Sequence, residues 1–293
     1  MPLHLLYSAC SSSSSNSPFS SSSSSLSSPS ASRTATSITP NNMACASPQQ
    51  PSIPSKQFGR PPALPSSSHE SWEAFFKRNS SNFFKDRHWF QDEHPAIFTR
   101  LKTLPTNILD LGCGCGNTAL PLLENSPLIS YLGVDGSLEA IELLRKDCRF
   151  DAKRCQGLVA DISHPVDFNP PPQRFDLVLM IFVLSALTPE EMERAVDRAS
   201  NSLRPGGLLV FRDYAQGDLA QLRFRVAARQ SRNAYTRSDG TLSFFFSQAG
   251  LMRLFGDRGF SCLCCNRLLR LVVNRKTAVE MPRYFYSCEF VKL

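Results

Sequence analysis

The chain has 293 residues, with 32 Lys plus Arg against 25 Asp plus Glu, and a formal charge of +7 with its five His neutral. That length suits one or two domains, and so small an excess of charge excludes a densely basic nucleic-acid clamp. The longest apolar run, Leu177 to Leu184, is far short of the ~20 residues of a membrane-spanning helix, so no membrane association is expected.

Residues 1–69 contain no Asp or Glu, and their only Lys and Arg are Arg33, Lys56 and Arg60. Without them, residues 70–293 keep 29 basic and 25 acidic side chains, the balance of one ordinary domain. The leader has five serines at 11–15 and five more at 21–25, followed by prolines at 40, 48, 51, 54, 61, 62 and 65. Too few large apolar groups are present to offset the entropy of ordering it, so disorder is expected. A Ser-rich, acid-free leader is also the composition of an organellar transit peptide, and its low Arg content favours a chloroplast over a mitochondrion. A plain disordered tail is the competing reading. Met43 offers a downstream start that would leave the protein in the cytoplasm.

From Asn107 the chain alternates strand-like and helix-like segments. Ile108 to Leu111 is a short apolar run that ends in a Gly-rich turn. Thr118 to Asn125 is expected to be helical, and Ser130 to Val134 a second strand. Leu138, Ile141, Leu144 and Cys148 fall at helical spacing behind Ser137, a suitable N-cap. Gly157 to Ala160 is a third strand. Leu177 to Leu184 is apolar throughout, as a strand covered on both faces must be. Pro189 to Leu203 is a helix with Pro in its first turn and Thr188 as cap, and Leu208 to Phe211 is the next strand. Such β–α–β repetition implies a doubly wound, mostly parallel α/β sheet. Leu219 to Ala228 and Gln248 to Asp257 are expected as helices, with the aromatic-rich Thr241 to Phe246 between them. Phe260 to Leu271 and Arg283 to Val291 are expected as antiparallel strands closing one edge.

The ten cysteines form no disulfide framework by spacing. Cys262 and Cys265 make one C-x-x-C pair without a second pair or a later His, so no metal is expected and buried thiols are the simpler reading.

Leu109-Asp-Leu-Gly-Cys-Gly-Cys-Gly-Asn117 carries the main chemical signal. A strand ending in Gly112-x-Gly114-x-Gly116 lets backbone approach a ligand closely before the next helix. Dinucleotide folds use a related turn, but with the third Gly one place later. Asp135 ends the second strand, where a carboxylate takes the hydroxyls of a ribose, and Asp161 follows the third, placed for an adenine amine. Glycines and two carboxylates at successive strand ends describe an adenosine pocket without a pyrophosphate clamp. S-adenosylmethionine (SAM) is the best-fitting ligand. Helix capping is the alternative role for each Asp.

From about Trp72 to Leu293 the chain resembles the methyltransferases that make 3-methylcytidine in the anticodon loop of tRNA. The resemblance rests on Phe75-Phe-Lys-Arg-Asn79, Asn82-Phe-Phe-Lys-Asp-Arg-His-Trp89, the glycine loop, Ile181-Phe-Val-Leu-Ser-Ala186 and Leu203-Arg-Pro-Gly-Gly207. It also rests on Phe211-Arg-Asp-Tyr214, Gln221-Leu-Arg-Phe224, Tyr235-Thr-Arg-Ser-Asp-Gly240 and Val273-Asn-Arg-Lys276. It implies a Rossmann-like class I fold with a seven-stranded sheet, and residues 70–106 as a segment covering cofactor and RNA. Implied cofactor contacts are Trp72, Phe76, Gly112, Asp135, Asp161, Ile162 and Ile181. Phe76 stands where relatives often have Tyr, and Gly136-Ser-Leu138 where they tend to have Phe-Ser-Pro, a change expected to loosen the turn. Some relatives work with seryl-tRNA synthetase, which makes it a candidate partner.

Cytosine N3 is unprotonated at neutral pH, so methylating it asks for in-line placement more than for acid–base help. Asp213, just past a strand, is the candidate carboxylate to stabilise the cation that forms; pairing with Arg212 or Arg237 is its alternative role. Ile181-Phe-Val-Leu-Ser185 lacks the Asn-Pro-Pro-Tyr type motif of exocyclic-amine methyltransferases. The N3 edge must be unpaired before attack, which calls for an RNA surface. Candidates are Lys77, Arg78, Lys85, Arg87 and His88, then Arg223, Arg225, Arg229, Arg232 and Arg237, with Phe83, Phe84, Trp89, Phe244 and Phe245 as stacking faces. Solvated charge and core packing are the competing roles. A protein or small-molecule methyltransferase, and a non-catalytic binder of RNA or SAM, are the alternative functions, because the core fold does not set the acceptor.

Overall fold

Apolar runs in the sequence become strands that share one sheet. In the computed structural model, which describes residues 68–80, 84–164, 166–274 and 279–293, these are β1 (Thr106–Leu111), β2 (Ile129–Asp135), β3 (Cys155–Val159), β4 (Phe175–Ile181) and β5 (Leu203–Tyr214). After a short ribbon of β6 (Ala234–Thr236) and β7 (Leu242–Phe244) come β8 (Phe260–Asn274) and β9 (Val279–Lys292). The leader, Phe83 and the Arg275-Lys276 pair lie outside the described residues. The seven-stranded sheet has the order β3-β2-β1-β4-β5-β9-β8. Neighbours pair in parallel from β3 to β5, and β9 and β8 add the antiparallel edge. Strand order reverses between β1 and β4, the place where such sheets open a crevice at their carboxyl ends.

The helices are positioned by their caps and apolar stripes. In α5 (Leu138–Lys146), Ser137 caps Ala140 N–H, and Ala140, Ile141 and Leu144 are buried. In α6 (Pro189–Ser202), Thr188 and Glu191 form a reciprocal capping box, and Met192, Ala195, Val196 and Ala199 are buried. The core centres on Phe211, Phe255 and Phe290, the last two stacked with centroids 4.2 Å apart. Each fully buried side chain of this size contributes roughly 1.5–3 kcal/mol. α8 (Gln248–Gly256) supplies Phe255.

Ahead of the sheet, α1 (Ser68–Asn79), α2 (Phe90–Glu93) and α3 (Pro95–Thr103) form the segment that precedes β1. Phe75 and Phe76 of α1 pack with Trp72, Phe84, Cys115 and Ala140, which brings α1 against the glycine loop. Glu93 of α2 receives a bidentate ion pair from Arg212 of β5, at 2.9 and 3.0 Å. That guanidinium also lies 4.0 Å over the Trp89 ring. Among the described residues no helix is long and apolar enough to cross a membrane.

Two expectations need correction. Leu219 to Ala228 is not one helix: α7 (Leu219–Arg223) stops, Phe224 is extended, and a 3-10 turn covers Val226–Ala228. Neither piece has a buried residue, and Leu222 and Val226 are 72% and 90% exposed. Without an apolar face to pack, a short helix has nothing to prolong it. The C-x-x-C thiols are not buried either, because β8 is the sheet edge: Cys262 is exposed, and Cys264 and Cys265 are half-buried.

Candidate functional site

β1 delivers the glycine loop to the carboxyl rim of the sheet, and three of its glycines adopt left-handed backbone, with φ of +73° at 112, +57° at 114 and +85° at 116. A Cβ on Gly112 would lie 2.2 Å from Val183 Cγ2, so the loop and the segment after β4 meet as backbone against side chain. Asp135, at the end of β2, ties the loop from the other side. Its Oδ2 accepts Gly114 N–H at 2.8 Å and its Oδ1 accepts Ser137 N–H at 2.9 Å. Glu73 of α1 accepts from Ser137 Oγ at 2.6 Å and from Glu139 N–H at 3.2 Å. The Gly136-Ser-Leu138 turn is thus held from both sides rather than loosened.

These elements enclose a cavity of about 590 Å³, within the range of small-ligand sites. All eight residues singled out for cofactor contact line it: Trp72, Phe76, Gly112, Gly114, Asp135, Asp161, Ile162 and Ile181. Asp161 Oδ1 accepts from Ser163 N–H and Oγ, both at 2.7 Å, so it also shapes its own turn. The buried indole N–H of Trp72 has no hydrogen-bond partner among the described residues. A buried donor left unmet calls for an acceptor, and the carboxylate of SAM is one. Two carboxylates at neighbouring strand ends, close-approaching glycine backbone and this donor fit SAM as a set.

Beyond β4 the wall changes character. Phe182, Ser185, Tyr214, Arg237, Asp239, Arg283 and Phe285 line that end. Phe182 adopts φ of +57°, a strained state for a bulky side chain. The guanidinium groups of Arg87 and Arg212 lie 5.0 and 5.4 Å from its ring centroid. Arg237 Nη2 donates to Tyr214 Oη at 3.2 Å, and Asp239 Oδ1 accepts from Thr241 N–H and Oγ1 at 3.0 and 2.7 Å.

Asp213 is not on this wall. It is 0% exposed; Oδ2 accepts Ser185 N–H at 2.9 Å and Oδ1 accepts Tyr214 N–H at 2.8 Å. Burial pushes its carboxyl up to about 6 against the opposing hydrogen bonds from Ser185. For the carboxylate expected to stabilise the methylated base, the geometry is indirect: β5 sends Tyr214 to the cavity and buries Asp213 behind it, where it holds Ser185 N–H. Nor does Asp213 pair with Arg212, which belongs to Glu93. Asp110 is likewise buried, accepts from Tyr131 Oη at 3.1 Å, and is raised by burial to about 7.

The RNA candidates separate. Arg87 turns inward, lining the cavity, with Nη1 donating to Thr118 Oγ1 at 3.1 Å and to the Ile181 carbonyl at 3.4 Å; burial lowers its pKa while Asp110 opposes. Arg237 also lines the cavity. Lys77, Arg78, Lys85 and His88 are exposed, with Lys77 paired to Glu73, and Arg223, Arg225, Arg229 and Arg232 are exposed as well. The stacking candidates are packing residues: Phe245 is buried, Phe244 joins the core, Trp89 lies under Arg212, and Phe84 packs on α1. Sequence reasoning overlooked Tyr214, Asp239 and Arg283 as wall residues. The first two sit in Phe-Arg-Asp-Tyr and Arg-Ser-Asp-Gly, segments that carry the family resemblance; Arg283 left no such signal. Among the described residues, no group of three or more His, Cys, Asp or Glu is arranged to hold a metal ion.

Comparison with known proteins agrees with this geometry. Residues 74–264 match a family described as a methyltransferase domain. The chain is 41% identical over 232 residues to the Drosophila melanogaster tRNA N(3)-methylcytidine methyltransferase Mettl2, covering 75% of this chain and 70% of that protein. It is 36% identical over 233 residues to the human tRNA N(3)-cytidine methyltransferase METTL6, covering 78% and 82%. In fold it is similar to a Burkholderia thailandensis 1,6-didemethyltoxoflavin-N1-methyltransferase solved with S-adenosylhomocysteine. The TM-score is 0.54 at 18% identity, with 78% of this chain and 92% of that one covered. With its class I fold, the family match and these relatives, the chain belongs to the SAM-dependent tRNA N(3)-cytidine methyltransferase family.

Proposed function

We propose that the protein transfers a methyl group from SAM to N3 of a cytidine in the anticodon loop of tRNA. The observation that carries this reading is the two-ended cavity. One end is lined by the residues matched to the cofactor; the other is lined by Phe182, Tyr214, Arg237 and Asp239. Bound SAM supplies an activated methyl on a sulfonium centre. The chain's own residues hold the two partners in line: Trp72, Asp135 and Asp161 at one end, and an aromatic wall for an extruded base at the other. As the N3 lone pair takes the methyl, the sulfur–methyl bond would break with its electron pair left on a neutral thioether, and the cytosine ring becomes cationic. Asp239 is the carboxylate on the wall at that end, which supports it, rather than Asp213, as the group offsetting this charge. Asp213 acts one step back, by fixing Ser185.

An exposed surface of Lys77, Arg78, Lys85, His88 and Arg223, with Arg237 and Arg87 nearer the reacting atoms, is the proposed RNA-binding face. Incubating the full chain with methyl-labelled SAM and total tRNA, then digesting to nucleosides, tests the reaction by mass spectrometry. 3-Methylcytidine is the expected product. No product, with tRNA alone and with seryl-tRNA synthetase added, refutes the reading; product only in the second case makes the synthetase an obligate partner. The leader is proposed to direct import into a chloroplast or mitochondrion. A fluorescent fusion of residues 1–69 that stays in the cytoplasm refutes that.

A further inference from the structure

The SAM cavity does not end at the acceptor wall. A second hollow of about 400 Å³ adjoins it and shares Ala220, Arg237, Asp239 and Arg283. Three of the four, Arg237, Asp239 and Arg283, belong to the acceptor end; Trp72, Asp135 and Asp161 line only the first. Whatever occupies the second hollow therefore neighbours the target base and not the cofactor. Its walls carry three arginines, 223, 237 and 283, against one carboxylate, Asp239. Two of these guanidinium groups are held in place. Arg283 Nε bonds both oxygens of the fully buried Asp218, at 3.0 and 2.9 Å, and Arg237 is tied to Tyr214 Oη. The third is at the outer side: Arg223 is exposed, and its Nη1 lies 3.5 Å from Met281 Sδ, a weak acceptor.

We propose that this hollow is a phosphodiester subsite, which takes the RNA backbone on one side of the target cytidine. It rests on the reading of the chain as a tRNA methyltransferase. A base drawn into the first cavity brings its ribose and two phosphodiesters with it, and the second hollow, sharing its wall with the acceptor end, is the place offered to that backbone. Guanidinium groups match phosphate oxygens in pairs of charge-assisted hydrogen bonds. Arg223 is the contacting cation, and Arg237 and Arg283 form the rigid passage between base and backbone. The subsite would place the target by its strand rather than by its sequence, since phosphate contacts position and base contacts specify.

The test uses the full chain and a tRNA assembled by ligation with a neutral methylphosphonate in place of the phosphate 5′ or 3′ to the target cytidine. At one of the two positions the wild-type protein should lose roughly tenfold in kcat/KM, most of it in KM, as expected for one charge-assisted contact. In Arg223→Gln the all-phosphate tRNA shows that loss already, and the methylphosphonate adds less than about threefold, because the two changes remove the same contact. Arg223→Lys, which keeps the charge, recovers part of it. SAM affinity is the folding control, since Arg223 lines only the second hollow. Methylphosphonates that cost the variant as much as the wild type, or cost neither protein anything, overturn the subsite while the methyltransferase reading stands. No 3-methylcytidine on the all-phosphate tRNA, with or without seryl-tRNA synthetase, overturns that reading and the subsite with it.

Discussion

Replacing Asp135 by Ala removes the acceptor of two backbone amides at once, Gly114 N–H at 2.8 Å and Ser137 N–H at 2.9 Å. A carboxylate has about four acceptor positions, so these two bonds do not exhaust it, and ribose hydroxyls bound there add contacts of the same charge-assisted kind. At about 1.5–3 kcal/mol each, losing two such contacts costs about 3–6 kcal/mol of SAM binding, or roughly 10²–10⁴-fold in Kd. Freeing the loop adds to the loss. Asp135→Asn should not rescue it, because both oxygens accept from N–H groups and an amide must turn its NH₂ toward one of them. Titration calorimetry with SAM checks the magnitude, and Trp72, on the cavity wall, gives an independent fluorescence signal. If Asp135→Ala binds SAM within about threefold of the wild type, a change of well under 1 kcal/mol, the ribose assignment is wrong.

Arg212→Met strands Glu93 with Arg270 alone, whose Nη2 reaches Glu93 Oε1 at 2.8 Å. Losing one partner of a buried pair costs about 3–5 kcal/mol, or about 6–20 °C in Tm for a domain of this size; Glu93→Gln in the same chain should restore most of it, and a single variant melting within about 2 °C of wild type contradicts the account. The Asp110 carboxyl is raised in the fold from 3.8 to about 7, so the folded state binds its proton more tightly. Its contribution to stability is complete below pH 4 and is lost as pH climbs to 7, on the order of 4 kcal/mol. Asp110→Asn should flatten that decline in denaturant titrations between pH 4 and 8, and an unchanged slope would rule it out. Gly112→Ala forces a side chain into left-handed backbone and against Val183 Cγ2 and Cβ, at 2.2 and 2.6 Å. Strain and overpacking together cost roughly 2–5 kcal/mol, so a wild-type melting curve and SAM affinity in this variant would show that the loop is not packed as described.

Much of the cofactor end was legible in the sequence because its determinants are local. A strand that runs into Gly112-x-Gly114-x-Gly116 can only turn sharply, and in a parallel sheet Asp135 and Asp161 must reach the same rim as that turn. The repeated β–α–β pattern likewise dictates parallel strands, and Ser137 and Thr188 cap the helices their positions announce. The acceptor end was not legible, since its side chains are aimed by partners far away in the chain. Arg212 and Glu93 pair across 119 residues, Arg283 and Asp218 across 65, and Asp213 and Ser185 across 28. Two adjacent residues such as Asp213 and Tyr214 look equally available in the sequence, but strand pleating sends one inward and one to the cavity, and only the paired sheet decides which. Arg87 looked like surface charge until Thr118, Ile181 and Phe182 drew it inside. The Leu219–Ala228 helix failed for the complementary reason: its local pattern is helical, but neither piece buries a residue that would hold a longer helix in place. Strand, turn and cap chemistry are written residue by residue, whereas the burial of a charge is decided by what the fold brings to meet it.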